Sequence, residues 1–362
     1  DRNQGGIPTD YRLSAWNGYT GAKPHISGMD FSFFPDEDHA LSALENVSID
    51  SLPSISPNQA VELSTNAGEQ YTVISGPLER VFGVFFNQNV NPVLADPVVR
   101  QALSIAVDRS AIIDTVLDGY GISISGPLPP GIPVSSTSTS AAPRPVNATT
   151  TARQAAIASA TALLEKNGWK RDADGIYENR PAKGAAKVLA LTIYTADAPE
   201  LKQAADMVKN EWADIGVQVD VKSFEPNDLY QSVIRTRTYD TLLFGEAVGK
   251  DNDVYAFWHS SQRNAPGLNV ALYANSKADK LLESIRATTD PSARAAAFGQ
   301  LSQLIGADTP AAFLYAPDFV YAVPKKLRGV DLGTLTSPTD RFASVSDWYL
   351  DTERVWQVFS HK

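Results

Sequence analysis

The sequence contains no cysteine and only four histidines, at positions 25, 39, 259 and 361. The first absence excludes a disulfide framework, a thiolate nucleophile and cysteine-bound zinc. It leaves the compartment open, since exported and cytosolic proteins alike can dispense with cysteine. No histidine has a second one at i+3 or i+4 and no His-Glu-x-x-His pattern occurs, so each reads as a surface or loop residue. No apolar run approaches the roughly 18 residues of a membrane-crossing helix. The opening Asp1-Arg2-Asn3-Gln4 is polar and unlike an export signal, so the sequence reads as a mature, trimmed or partial chain.

Positive charge is scarce as well: 31 Lys and Arg stand against 41 Asp and Glu, a formal net charge of -10. Nucleic-acid binding draws its affinity from cations facing phosphates, so the charge argues against nucleic acid as a partner. The basic residues are dispersed, with only Lys170-Arg171 and Lys325-Lys326 adjacent, so no polybasic patch for a lipid surface is present.

The signatures of catalysis are missing too. There is no phosphate-cradling glycine loop, and Gly121, Ser123, Ser125 and Gly126 lack the spacing of a nucleophile elbow. Asp172-Ala173-Asp174-Gly175 resembles the start of a calcium loop, but the later glycine and closing glutamate are out of place. A hairpin turn is the expectation there. The acid groups Asp36-Glu37-Asp38 and Asp251-Asn252-Asp253 fall in loops, where carboxylates are ordinarily solvated, and spacing alone does not make a glycosidase.

What is present is the composition of an ordinary globular protein, 43% apolar and 20% charged over 362 residues, a length that suits two α/β lobes. The clearest periodicity runs from Lys187 to Phe244 and reads βαβαβ. Val188 to Tyr194 alternates as a strand, with Leu189, Leu191 and Ile193 on one face. Pro199 to Asp214 sets Leu201, Ala205, Val208 and Trp212 along a helical stripe that Gly216 ends. A strand through Val217, Val219 and Val221, a helix from Pro226 to Thr236 around Leu229, Tyr230 and Val233, and a strand from Thr241 to Phe244 follow. This rhythm predicts a largely parallel sheet covered on both faces.

Upstream, Asp96-Pro97 opens a helix whose predicted buried stripe is Val98, Ala102 and Ile105. Asp108 caps a second helix carried by Ile112, Ile113, Val116 and Leu117. Val134 to Thr151 reads as a long loop, with helix resuming near Ala155. Helices are expected at about Asp279 to Thr288 and Pro291 to Gly306, and two strands at Ala312 to Tyr315 and Val320 to Val323. Early on, Gly28 to Phe34 reads as a strand, Glu37 to Leu44 as a helix and Val61 to Phe86 as several short strands.

One segment combines acids with aromatics: Gly249-Lys250-Asp251-Asn252-Asp253-Val254-Tyr255-Ala256-Phe257-Trp258-His259, directly after the third predicted strand. Strand-end loops of open α/β sheets are where ligands bind. A carboxylate can supply the counter-charge for an ammonium group while rings cover apolar side chains. The competing reading puts Phe257 and Trp258 in the core and leaves the acids facing solvent. Both stand on the residues alone.

The segment Asn87 to Gly131 resembles the signature region of the extracytoplasmic solute-binding proteins of ABC importers, family 5, the peptide and nickel class. The resemblance rests on Asp96-Pro97-x-Val99-Arg100-Gln101-Ala102-Leu103, on Ala106-Val107-Asp108-Arg109, and on Gly119-x-Gly121 leading to Gly126-Pro127. It continues in order through Ala162-Leu163-Leu164-Glu165, Gly168-Trp169, Ile215-Gly216-Val217, Tyr239-Asp240, Phe257-Trp258-His259-Ser260 and Phe313-Leu314-Tyr315. Asn46-Val47-Ser48 departs from the family, which places a glycine shortly before the Ile-Asp at Ile49-Asp50. The match begins partway into the family's pattern.

The resemblance implies α/β lobes of the type II periplasmic-binding-protein kind, with mainly parallel βαβ sheets and one lobe incomplete. The first lobe would hold residues 1–85 and a return at 317–362, and the second would be a continuous insert at 86–316. It implies a non-enzymatic, extracytoplasmic, lipoprotein-like binding protein. Such a protein captures a small solute, a peptide before a nickel chelate, haem, sugar or opine, and passes it to an ABC permease. Neither cofactor nor metal is implied, and the protein would be a monomer. By the same resemblance Asp251, or else Asp253, would pair with a peptide's amino terminus, and Tyr255 and Trp258 would line the cleft. A sensor or assembly module of the same fold, or an enzyme on a borrowed scaffold, are the alternatives from other classes.

Overall fold

The computed structural model describes residues 6, 8–66, 70–134, 150–181, 185–333 and 335–351. The chain divides into two units, Asp1–Leu78 with Asp318–Lys362, and Glu79–Pro317. Most of the predicted loop from Val134 to Thr151, and His361, lie outside the described residues.

In the first unit, β1 (Asp10–Ser14) and β2 (Gly28–Ser32) pair antiparallel, with Tyr11 opposite Phe31 and Leu13 opposite Met29. Helix α1 (Glu37–Glu45) starts at Asp36, whose side chain accepts the His39 N–H, and buries Ala40, Leu41 and Leu44. After β3 (Leu52–Pro53) comes α2 (Pro57–Asn66), then β4 (Tyr71–Pro77). The expectation of short strands over Val61 to Phe86 holds from Tyr71 and is corrected for Val61 to Asn66. Ala60 and Leu63 are buried one helical turn apart, and the Ser64 and Thr65 hydroxyls bond back to the Ala60 and Val61 carbonyls. Packing overrides the β preference of that stretch.

The second unit opens with β5 (Arg80–Phe86), α3 (Pro97–Ala106), α4 (Arg109–Val116), β6 (Gly121–Ser123) and α5 (Thr150–Lys166). A small sheet of β7 (Lys170–Arg171), β8 (Tyr177–Asn179) and β9 (Lys187–Val188) follows. Its first turn is the Asp-Gly hairpin expected: Asp172 Oδ1 accepts the Asp174 and Ile176 N–H groups, and Gly175 takes φ +83°.

Then come β10 (Ala190–Ala196), α6 (Pro199–Asp214), β11 (Gln218–Phe224) and α7 (Pro226–Asp228), the last running on as a wide π turn over Leu229–Ile234. Strand β12 (Thr241–Ala247), α8 (Tyr255–Trp258), α9 (Ser276–Ala287) and α10 (Pro291–Asp308) lead into β13 (Ala311–Pro324). Strands β10 and β11 are parallel, as are β10 and β12, which is the βαβαβ arrangement read from periodicity. Beyond β12 the sheet continues antiparallel, through β5 to the first half of β13, which also pairs with β6.

Two departures have physical causes. The two strands expected after Pro310 are one, β13, with a shift of register between Phe313 and Tyr315; its second half, Asp318 to Pro324, pairs with β4 in the first unit. Helix α3 buries Val99, Arg100, Ala102, Leu103 and Ala106, whereas Ile105 is 40% exposed, so the predicted stripe is rotated. The rotation aims Arg100 inward. Tyr230 is likewise exposed, while Leu229, Val233 and Ile234 carry the burial after α7.

Alternation along the central strands fills both faces of the second unit's sheet. Val84, Phe86, Leu243, Ala312 and Leu314 meet α3, α4, α5 and α6. Val81, Phe85, Leu242, Ala311 and Phe313 meet the π turn, α8, α9 and α10. A period of two along each strand requires this division.

Many motif residues of the family resemblance prove to be architectural. Asp240 Oδ2 accepts from the Thr192 N–H at 3.1 Å and from Asn91 Nδ2 at 3.2 Å, and the Asp240 carbonyl accepts the Asn87 N–H at 2.8 Å. Arg109 Nε donates to the Phe313 carbonyl at 2.6 Å and to the Ile124 carbonyl at 3.1 Å, joining the start of α4 to β13. Buried polar groups with this many partners fix the register of what they connect.

Candidate functional site

The second unit's sheet places the acid-aromatic segment at the end of β12. The first backbone N–H beyond the strand, on Val248, donates to the Glu79 carbonyl at 3.0 Å. Val248 and Val254 are 2% and 1% exposed, so both ends of the loop between them are anchored in the core. Within it Asn252 adopts φ 55° and donates its N–H to the Gly249 carbonyl at 2.8 Å. Asparagine tolerates that left-handed geometry better than most residues.

The turn separates two carboxylates with different surroundings. Asp253 Oδ1 accepts the Tyr255 N–H at 3.0 Å, which starts α8. Arg286, on α9, donates from Nε to Oδ1 at 3.1 Å and to Oδ2 at 3.0 Å, and from Nη2 to Oδ2 at 2.5 Å. Burial works to raise the Asp253 carboxyl, but the Arg286 hydrogen bonds, the Tyr255 N–H and the charges of Arg286 and Arg294 outweigh it and hold it below the usual carboxylate value. Asp251 is exposed. Its backbone carbonyl accepts from Arg294 Nη2, while its carboxylate has no hydrogen bond or ion pair among the described residues.

Tyr255 is half-buried and held on both faces. The Arg286 guanidinium carbon lies 3.6 Å from the ring centroid, and the His259 ring is stacked with centroids 4.1 Å apart and planes at 14°. Two neighbours this close require opposite faces. His259, read from sequence as a surface or loop residue, is 8% exposed; its Nδ1 accepts the Ser261 N–H at 3.1 Å, and Nε2 lies 3.6 Å from Glu283 Oε1 and 3.9 Å from Asp279 Oδ1. Trp258 is 0% exposed, among Phe313 at 5.8 Å, Tyr273 at 6.1 Å and Phe85 at 6.2 Å between ring centroids. The Trp258 ring lies in the core and backs the loop, because the turn of α8 that leaves Tyr255 partly exposed points Trp258 toward the sheet.

The four residues singled out from sequence thus separate into an accessible carboxylate, a neutralised one, a clamped ring and a core indole. Sequence reasoning missed Arg286 and Arg294, which approach from helices more than 30 residues downstream. It also missed Glu246 on β12, which is 3% exposed, has Oε1 without a hydrogen-bond partner, and is pushed well above the ordinary carboxyl value by burial. The signal for Glu246 was available, as a charged residue inside the apolar run Leu242-Leu243-Phe244-Gly245-Glu246-Ala247-Val248. A cavity of about 170 Å³ lies elsewhere in the unit, between α3 and the end of α10, lined by Gln101, Ser104, Ser125 and Thr309 among others, and none of its lining residues belongs to the loop. Among the described residues no group of three or more His, Asp or Glu is placed to hold a metal ion, and no helix is long and apolar enough to cross a membrane.

The family profile of the bacterial extracellular solute-binding proteins, family 5 (middle region), matches residues 9–267, and the chain belongs to that family. The oligopeptide-binding protein AppA of Bacillus subtilis (strain 168) is 25% identical over 349 residues, covering 94% of this chain and 59% of AppA. The dipeptide-binding protein of Escherichia coli (strain K12) is 25% identical over 332 residues, covering 88% of this chain and 55% of the relative. The structure of B. subtilis AppA in complex with a nonapeptide superposes with TM-score 0.67 at 23% identity, covering 97% of this chain and 65% of that one. The fold is accordingly that of the type II periplasmic-binding-protein-like solute-binding proteins. The chain spans less than two thirds of the length of these relatives.

Proposed function

We propose that the protein is the solute-binding component of an ABC importer for peptides, and that Asp251 receives the ligand's terminal ammonium. The observation that carries this reading is the contrast between the two loop acids. Asp253 is already neutralised by Arg286, whereas Asp251 presents an accessible carboxylate with no cation bonded to it among the described residues, at the end of a strand where α/β sheets bind ligands. The Tyr255 ring, covered on both faces by Arg286 and His259, has only its edge left for a ligand. Trp258 supports that surface from beneath.

On this reading the unit from Glu79 to Pro317 is the second lobe of the family's pattern, and the residues before and after it belong to the first. The protein works outside the cytoplasm, in the periplasm or tethered to the outer face of the membrane. It acts as a monomer, hands its ligand to a permease, and alters no covalent bond. Peptides come before the other solutes because both relatives above are named for them.

The test is a thermal-shift screen against di- to pentapeptides. A ligand present at about 100 times its Kd stabilises the folded state by about 2.7 kcal/mol, and an unfolding midpoint raised by several degrees is the expected result. A flat response across the panel, in protein expressed from the whole gene, removes peptide uptake as the function.

A further inference from the structure

We propose that Arg286 is a selectivity residue: by occupying Asp253 it leaves Asp251 as the loop's one available carboxylate, so that the loop accepts a single positive charge. The inference rests on the assignment of the loop as the ammonium-binding element.

Two contacts hold Arg286 in this role, and a third, made by Arg294, fixes the loop beside it. Its Nε and Nη2 engage both Asp253 oxygens, a fork-on-carboxylate geometry that an ammonium group does not reproduce. Its guanidinium carbon lies 3.6 Å from the centroid of the Tyr255 ring, whose other face is closed by His259. Arg294, from α10, takes the Asp251 carbonyl, which fixes the backbone of the remaining acid without touching its carboxylate. Two acids of the loop therefore meet arginines from α9 and α10, yet only the Asp253 side chain is hydrogen-bonded to one; Asp251 acts on Arg286 through charge alone. Had Arg286 been free to swing away, the same loop would offer two carboxylates two residues apart and would suit a dication.

The experiment compares wild-type protein with Arg286→Met, which keeps most of the stem but removes the charge, and Arg286→Lys, which keeps the charge but not the fork. Calorimetric titration uses Ala-Ala-Ala and Lys-Ala-Ala, which differ by one ammonium. The affinity ratio of the Lys over the Ala peptide is expected to rise about threefold to fivefold in Arg286→Met, the size of an exposed ion pair, and to stay nearer the wild-type ratio in Arg286→Lys. An unchanged ratio in Arg286→Met overturns the selectivity role. Failure of wild-type protein to bind either peptide sinks the peptide reading instead. The charge assignment is then judged in unliganded protein, by carbon-detected NMR of the aspartate carboxyls. Asp253 should titrate at higher pH in Arg286→Met than in wild type; an unmoved Asp253 shows that Arg286 does not hold its charge.

Discussion

Arg100 closes the end of the helix that contains Asp308: Nη2 donates to the Asp308 carbonyl at 2.9 Å and Nε to the Thr309 carbonyl at 3.0 Å. Nη1 reaches back to the Leu94 carbonyl at 2.8 Å, so one guanidinium ties the approach to α3, the C-terminus of α10 and the entry to β13. The last carbonyls of a helix have no partner within it, and a cation there also meets the negative end of the helix dipole. Burial lowers the Arg100 pKa, and the charges of Asp308 and Asp96 oppose it; a guanidinium stays charged in proteins.

Replacing Arg100 by Met should therefore leave several buried carbonyls without donors. At about 1–3 kcal/mol for each unsatisfied buried group, the loss should reach several kcal/mol in urea unfolding. Arg100→Lys should recover only part of it, since an ammonium cannot span the same carbonyls. A variant as stable as wild type would show that water substitutes fully for the guanidinium.

Glu211 on α6 gives a stability that depends on pH. It is 8% exposed, Oε2 has no hydrogen-bond partner, and burial pushes its carboxyl from about 4.5 up to about 7, against the opposing pull of Arg153 and a backbone hydrogen bond at Asp108. Between those values the folded chain keeps a proton that the unfolded chain has released. This contribution is complete below the unfolded value and is lost as pH rises through the folded one. The loss amounts to roughly 3 kcal/mol at 1.36 kcal/mol per pH unit. Glu211→Gln should flatten this part of the stability curve between pH 4.5 and 7 and be more stable than wild type above pH 7; parallel curves for the two proteins would contradict the assignment.

How far the fold can be read from the residues is clear from particular elements. Helix α6 was readable because Pro199 starts it, Val208 and Trp212 repeat at helical spacing, and Gly216 at φ +77° ends it. The alternation of Leu189, Leu191 and Ile193 set the adjoining strand's buried face. Strand β13 was not read as one element because Pro317-Asp318 in its middle resembles a turn, and only pairing on both halves keeps it extended. The loop after β12 was found by composition, but composition cannot say which ring faces the core. That depended on the four-residue α8, and the fate of Asp253 depended on a helix 33 residues away.

Trp258 separates a supporting role from a contacting one. Truncation to Ala removes a fully buried indole and should cost about 3–5 kcal/mol, read as a lower urea midpoint. Trp258→Phe should cost much less, and its missing N–H is no loss, because the wild-type Nε1 has no hydrogen-bond partner. Peptide affinity should be nearly the same in Trp258→Phe as in wild type. A large drop in affinity with stability retained would mean that the indole touches the ligand after all.

Asp251 carries the strongest claim about chemistry and admits the most direct test. Its carboxylate is exposed and bonded to no cation among the described residues, so Asp251→Ala should leave the unfolding midpoint nearly unchanged. Binding is a different matter. A charge-assisted contact to an ammonium group is worth about 1.5–3 kcal/mol, so peptides with a free amino terminus should lose roughly tenfold to a hundredfold in affinity. N-acetylated peptides have no charge to place there, and they should bind wild type weakly and the variant about equally. The comparison isolates the pair, since backbone and side-chain contacts are common to both ligands. Equal loss for both forms would place the amino terminus elsewhere.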